Sequence, residues 1–271
     1  MNFSTYIVYD FETSSANCNR CQPIQLAAIP IHSRKLEIIE DPFCSYIRPI
    51  FDKEECDKYN LDPLSEEALQ VNKIKVEEDL IHAPPIRVVW DQFCSYIDQY
   101  NYKKTKWTAP VAVTYNGIRF DDIIIDRIAG GNNRHLKNVS NTLKDDINNT
   151  ISSIKGDENV KLDEKIKKLF TLSRKIFSDN EPYGFGPWDK QCTLFHPRDN
   201  VDVMRLLYLY TENLQEIRSL SLDSIRDWLG LSGENAHKAD VDVRQTAEIF
   251  IRFLKFTRKH ASNAKFKGSF K

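Results

Sequence analysis

Apolar runs of four to six residues, each cut short by acids, prolines or a turn pair, dominate the first half of the chain. Residues 5–9, around Tyr6-Ile7-Val8, read as a buried strand that stops where Asp10 and Glu12 begin. Residues 24–29 (Ile24-Gln25-Leu26-Ala27-Ala28-Ile29) and 43–48 (Phe43 to Arg48, before Pro49) read as two more strands. Three successive strands predict an antiparallel meander at one edge of a mixed sheet. The period then changes. Leu64, Ala68 and Val71, with Ser65 near the start, suit a helix over 64–70. Val88 or Val89, Phe93, Tyr96 or Ile97, and Tyr100 recur every three to four residues, which predicts a helix over 86–100 with Pro84-Pro85 at its start. Val111 to Tyr115 reads as a fourth strand, and Phe120 to Ile128 as a helix ended by Gly130-Gly131.

From about residue 130 to 190 the pattern is different. Asn, Lys and Asp crowd residues 132–160, Leu162, Ile166, Leu169 and Phe170 mark an amphipathic helix, and residues 181–188 form a turn-rich loop. This stretch reads as an insertion within a single domain spanning 1–271, too polar to bury much. A fifth strand with a poor signal is expected near 190–200. Helices follow after Asp202, which reads as a cap, over 220–229 up to Gly230, and from Ala239 onward.

Composition narrows the class without deciding it. The 271 residues, 41% hydrophobic and 28% charged, suit a soluble globular protein able to bury a sizeable core. A net charge of −1 argues against a basic nucleic-acid coat, yet a local basic stripe can still guide a polyanion to an acidic site. No apolar run approaches a membrane span and no signal peptide is apparent, so a cytoplasmic location is expected. Six cysteines at uneven spacing read as reduced thiols. Cys18-x-x-Cys21 lacks a second well-spaced pair, and Cys44, Cys56 and His32 could complete a zinc site only through the fold.

The chemistry lies in five residues at element ends: Asp10, Glu12, Asp121, His237 and Asp242. Acids gathered around a buried point repel one another unless cations lie between them, and hard divalent cations prefer oxygen ligands and bridge to phosphate. Each motif alone has an ordinary explanation. Asp10 and Glu12 could be a solvated strand-end pair, and either Asp121 or Asp122 could serve a helix N-terminus. His237 could be a cap. Asp242 shares an edge of the apolar face formed by Ala239, Val243, Phe250 and Phe253, whereas Asp240 points away toward solvent. Together, in this order, they suggest a two-metal phosphodiesterase with a histidine to move protons.

The segments Asp10-Phe11-Glu12-Thr13, Asn116 through Phe120-Asp121, and His237-x-Ala239-x-x-Asp242 resemble the three motifs of the DEDDh (DnaQ-like) 3′–5′ exonucleases of the ribonuclease H-like superfamily. The run Tyr115 to Asp122 is similar to the second motif of bacterial exonuclease I relatives, and the resemblance covers residues 5–129 and 200–254. It implies an α/β ribonuclease H-like fold, with a mixed five-stranded sheet flanked by helices. It implies that Asp10, Glu12, Asp121 (rather than Asp122) and Asp242 hold two Mg²⁺ or Mn²⁺ ions, with Glu12 also counted in the catalytic set and His237 as general base. Phe11, Thr13 and Asn116 would hold the terminal nucleotide. The implied activity is stepwise release of nucleoside 5′-monophosphates from single-stranded DNA or RNA 3′ ends, with DNA favoured. RNA trimming and a non-catalytic nucleic-acid-binding module of the same fold are the alternatives. A polymerase or repair partner is not readable. Tyr183, Phe185 and Trp188 could stack on bases or pin the insertion to the body. The basic tail, 259–271, could follow a phosphate backbone or be a solvated helix end.

Overall fold

The computed structural model describes residues 4–129, 152, 194–196, 199–232 and 238–263. The insertion, His237, the loop aromatics Tyr183, Phe185 and Trp188, and the tail from residue 264 lie outside the described residues. Elements are numbered over the described residues.

Five strands form one sheet: β1 (Thr5–Thr13), β2 (Pro23–His32), β3 (Phe43–Tyr46), β4 (Val111–Thr114) and β5 (Asn200–Asp202), in the order β3-β2-β1-β4-β5. The β1-β2 and β2-β3 pairs are antiparallel, as the meander required, while β1-β4 and β4-β5 are parallel. Helices α1 (Lys53–Lys58), α2 (Glu66–Asn72), α3 (Ile86–Asp98) and α4 (Asp121–Ala129) precede β5. After it come α5 (Val203–Thr211), α6 (Leu222–Leu229) and α7 (Ala239–Asn263). Among the described residues, no helix is long and apolar enough to cross a membrane.

Alternation along β1 feeds two cores. Ile7, Tyr9 and Phe11 pack with α3 and α4 through Trp90, Phe93, Ile97, Ile124 and Ile128. Tyr6 and Val8 face the other way, toward Val203, Ile225, Val243, Ala247 and Phe250 on α5, α6 and α7. The sheet is therefore covered on both faces, as a parallel-containing sheet requires. Ser65 caps α2 by accepting from the Ala68 N–H at 3.1 Å, and Asp202 caps α5 by accepting from the Met204 N–H at 3.1 Å. Gly230 ends α6 in the left-handed conformation (φ 65°).

The strand limits differ from the expected ones in an instructive way. β1 does not stop at Tyr9. Its pairing with β2 runs on through Asp10↔Ala27 and Glu12↔Gln25, so the acids sit within the strand. Backbone pairing with a fully buried neighbour outweighs the local polarity of two carboxylates. β5 falls at 200–202, just past the expected window, and α1 and a π turn at Val76–Leu80 are additions. Asp240, expected in solvent, is half-buried and close enough to Cys44 to help push its thiol up to about 11, after burial itself.

Candidate active site

The site forms where β1 and β4 part. Their pairing ends at Val8↔Val113, while β1 continues to Thr13 alongside β2 alone. Such a crevice beyond the strand ends is where open α/β sheets bind ligands. Asp10 and Glu12 share one face of β1, two residues apart, and Glu12 is buried. Asp242 reaches them from the first turn of α7. One carboxylate oxygen from each of Asp10, Glu12 and Asp242 lies within 4.8 Å of the other two. The close approach depends on Ala239, one turn earlier and fully buried, whose N–H donates to the Gln25 side-chain oxygen at 3.2 Å.

Asp121 stands beside this trio rather than in it. It opens α4, is buried, and its Oδ1 accepts the Phe11 N–H at 3.1 Å. That N–H lies on the stretch of β1 that β4 no longer pairs. Asp122 is engaged elsewhere, accepting from the Tyr9 hydroxyl and the Asn200 amide. The two neighbours thus diverge, with Asp121 turned toward β1 and the carboxylate trio. Gly117 makes the turn into α4 possible, because a Cβ there would sit 2.3 Å from the Thr114 Cβ. Asn116 precedes it in the left-handed region (φ 60°), its N–H bound to Asp202 Oδ1 at 3.0 Å and the residue exposed.

Burial and mutual repulsion set the electrostatics of the cluster. Burial, then the Asp121, Glu12 and Asp242 charges, holds the Asp10 carboxyl well above its usual range. Burial and the charges of Asp242 and Asp121 push Glu12 up to about 8. Asp121 rises to about 7 through burial, against the opposing pull of the Phe11 N–H. Acids in this condition keep protons at neutral pH unless a cation displaces them. An all-oxygen set of this spacing and charge fits hard divalent cations such as Mg²⁺ or Mn²⁺.

Phe11 and Thr13 are placed differently from each other. The Phe11 side chain is 4% exposed in the α3/α4 core and its N–H is taken by Asp121, so neither is open to a nucleotide. Thr13 lines a cavity of about 410 Å³ with Ser15, Ser65, Ala68, Val71 and Asn72. The Asn72 amide donates to the Thr13 carbonyl at 3.2 Å and ties α2 to the end of β1. Spacing had placed Val71 on an apolar helix face; that face is the cavity wall.

Sequence reasoning missed Arg226. It is 2% exposed on α6, with Nη1 3.5 Å from Asp242 Oδ1 and Nη2 2.8 Å from Asp223 Oδ1. Its only sequence signal is an arginine next to the apolar Ile225 in an amphipathic helix. The zinc candidates do not assemble: among the described residues, the acidic trio is the one metal-competent group found. Cys21 and Cys18 instead receive the Arg127 guanidinium, which donates to both backbone carbonyls. Just before the basic tail, Arg258 donates to the Ser33 and Arg34 carbonyls, so that charge anchors α7.

No family model matches the chain, and neither does any curated protein sequence. Solved structures do. An exonuclease I structure matches at TM-score 0.53 and 19% identity over 95% of this chain and 44% of that one. The zinc-bound complex of Escherichia coli exonuclease I with single-stranded DNA gives 0.52 and 18%, over 97% and 45%. The complex of that enzyme with a dT13 oligonucleotide gives 0.51 and 19%, over 92% and 40%. The chain spans less than half the length of these proteins. The shared property is the fold: a ribonuclease H-like α/β domain with a mixed five-stranded sheet flanked by helices.

Proposed function

We propose that the protein is a metal-dependent 3′–5′ exonuclease of the DEDDh type that shortens single-stranded nucleic acid to nucleoside 5′-monophosphates. The observation that carries this reading is the convergence of Asp10, Glu12 and Asp242 within 4.8 Å, with Asp121 bound to the backbone beside them. In this reading the four carboxylates hold two Mg²⁺ or Mn²⁺ ions, which when bound stabilise charge on the attacking and leaving oxygens. His237, five residues before Asp242, takes the proton of the attacking water. The Thr13-lined cavity receives the terminal nucleoside, with exposed Asn116 across the crevice. The Phe11 contribution is through the backbone that seats Asp121. DNA is favoured because the fold neighbours include exonuclease I complexes with single-stranded DNA. The insertion at 130–190 and the tail at 259–271 belong to this single domain. A cytoplasmic setting is supported by the five described cysteines, all free thiols.

A time course on 5′-labelled single-stranded DNA and RNA of one sequence, with Mg²⁺ or Mn²⁺ and with EDTA, tests the proposal. A ladder shortening from the 3′ end, abolished by EDTA and faster on DNA, is expected. Internal fragments, or binding without cleavage, would overturn it; faster loss of RNA would reassign the substrate to RNA ends.

A further inference from the structure

Helix α6 lies on the solvent side of the sheet, and most of its residues are exposed or half-buried. An arginine there has an easy route to water along its own flexible stem. Arg226 does not take it. It lies 2% exposed beneath the helix, with Nη2 against Asp223 Oδ1 at 2.8 Å and Nη1 3.5 Å from Asp242 Oδ1. Its Nε and Nη1 make no hydrogen bond among the described residues, so its hold on Asp242 is an ion pair rather than a hydrogen bond. A guanidinium withdrawn from water is costly unless paired. The burial is therefore offset largely by the two carboxylates, of which Asp242 is itself 8% exposed.

We infer that Arg226 is a positioning residue that fixes the rotamer of the Asp242 carboxylate, with Asp223 as its surface anchor. The inference rests on Asp242 being a metal ligand. The planar fork can grip two carboxylates at once, which a lysine ammonium cannot do with defined geometry. Engaging Oδ1 leaves the second oxygen to the cluster and removes the freedom of the side chain to turn away. Two effects oppose each other on loss of Arg226. Removing a positive charge would tighten cation binding, whereas releasing Asp242 would weaken it. Groups that orient ligands are typically worth 10–100-fold in metal affinity, and a charge already shared between two carboxylates has less left to repel a cation. Orientation wins.

The test is Mn²⁺ titration by calorimetry on the full chain without nucleic acid, alongside thermal unfolding in EDTA. Arg226→Met should weaken Mn²⁺ binding by about 10-fold or more, and Arg226→Lys should recover little of it. Asp223→Asn, at an exposed position, should fold normally and weaken binding less. Unchanged or tighter Mn²⁺ binding by folded Arg226→Met, or full recovery in the lysine variant, overturns the inference. If Arg226→Met does not fold, Asp223→Asn decides: weaker binding supports the inference and wild-type binding overturns it. Wild-type protein that binds no Mn²⁺ would overturn the metal reading and this inference with it. Binding by the wild type with unaltered variants would overturn this inference alone.

Discussion

Ile7, Tyr9 and Phe11 on one side of β1 enter a core built with α3 and α4, where Tyr9 meets Phe11, Phe93 and Phe195 edge-on or stacked. On the other side, Tyr6 and Val8 begin a second core, but the next two residues on that face are Asp10 and Glu12. One strand thus presents an oily stripe to its left and an acidic end to its right. The left side lowers the free energy of the fold; the right side raises it, because burial and mutual repulsion push the Glu12 carboxyl up to about 8. A protein keeps such a cluster only where function needs charge that water cannot screen. The difference teaches that β1 is anchored by one face so that the other can hold acids withdrawn from solvent.

Breaking the acidic face should separate chemistry from stability most sharply. Asp10→Ala or Asp242→Asn is expected to lower nuclease activity by on the order of 10³-fold or more, since several kcal/mol of charge stabilisation rest on each ligand. The Asp10→Ala variant should melt in EDTA no lower than the wild type, because it relieves repulsion. Near wild-type cleavage by either purified variant would remove these residues from the site. Breaking the apolar face should do the reverse. Phe93→Ala, at a fully buried position, should cost about 3–5 kcal/mol in chemical unfolding while the folded fraction keeps its specific activity. A small stability change with a large activity loss would show that the two faces are not separable.

A subtler measurement sharpens the contrast through pH. Glu12 and Asp121 rise to about 8 and about 7 in the folded chain, so the native state holds protons that the unfolded chain has already lost near pH 4. Between those limits the native state binds more protons, and the stability they confer falls as pH rises. Metal-free protein should therefore lose thermal stability steadily from about pH 5 to pH 7, with the slope easing as pH passes through 7 and 8 and the two acids ionise in the folded chain. Glu12→Gln should flatten the slope, and saturating Mn²⁺ should abolish it by binding the deprotonated acids. A metal-free profile that rises over this window would mean the carboxylates are not held as described.

Much of this was legible in the chain, and the illegible parts share a cause. The meander, the α2 start at Ser65 and the α6 stop at Gly230 follow from local pattern and turn chemistry, so local reading finds them. The true end of β1 was written in the sequence as well, since Tyr9-Asp10-Phe11-Glu12 alternates apolar and acidic with the period of a strand. Polarity alone obscured it. By contrast, the separate engagement of Asp121 and Asp122 depends on Phe11, Tyr9 and Asn200, which no spacing rule connects. Arg226 is the extreme case. It sits between Asp223, one turn earlier on its own helix, and Asp242 on another helix, and no spacing rule joins the second partner to it. Phe11 shows the opposite hazard: a motif position can matter through its backbone while its ring packs in the core.

The early parting of β1 and β4 has a topological consequence. A cation seated between Asp10 or Glu12 and Asp242 would join the first strand of the chain to its last described helix, closing nearly the whole polypeptide into a loop. Such a staple ties the central strand of the sheet to the helix that packs on it. Ion occupancy would then report on whether β1 and α7 are docked, so that an incompletely folded chain is also an unarmed one.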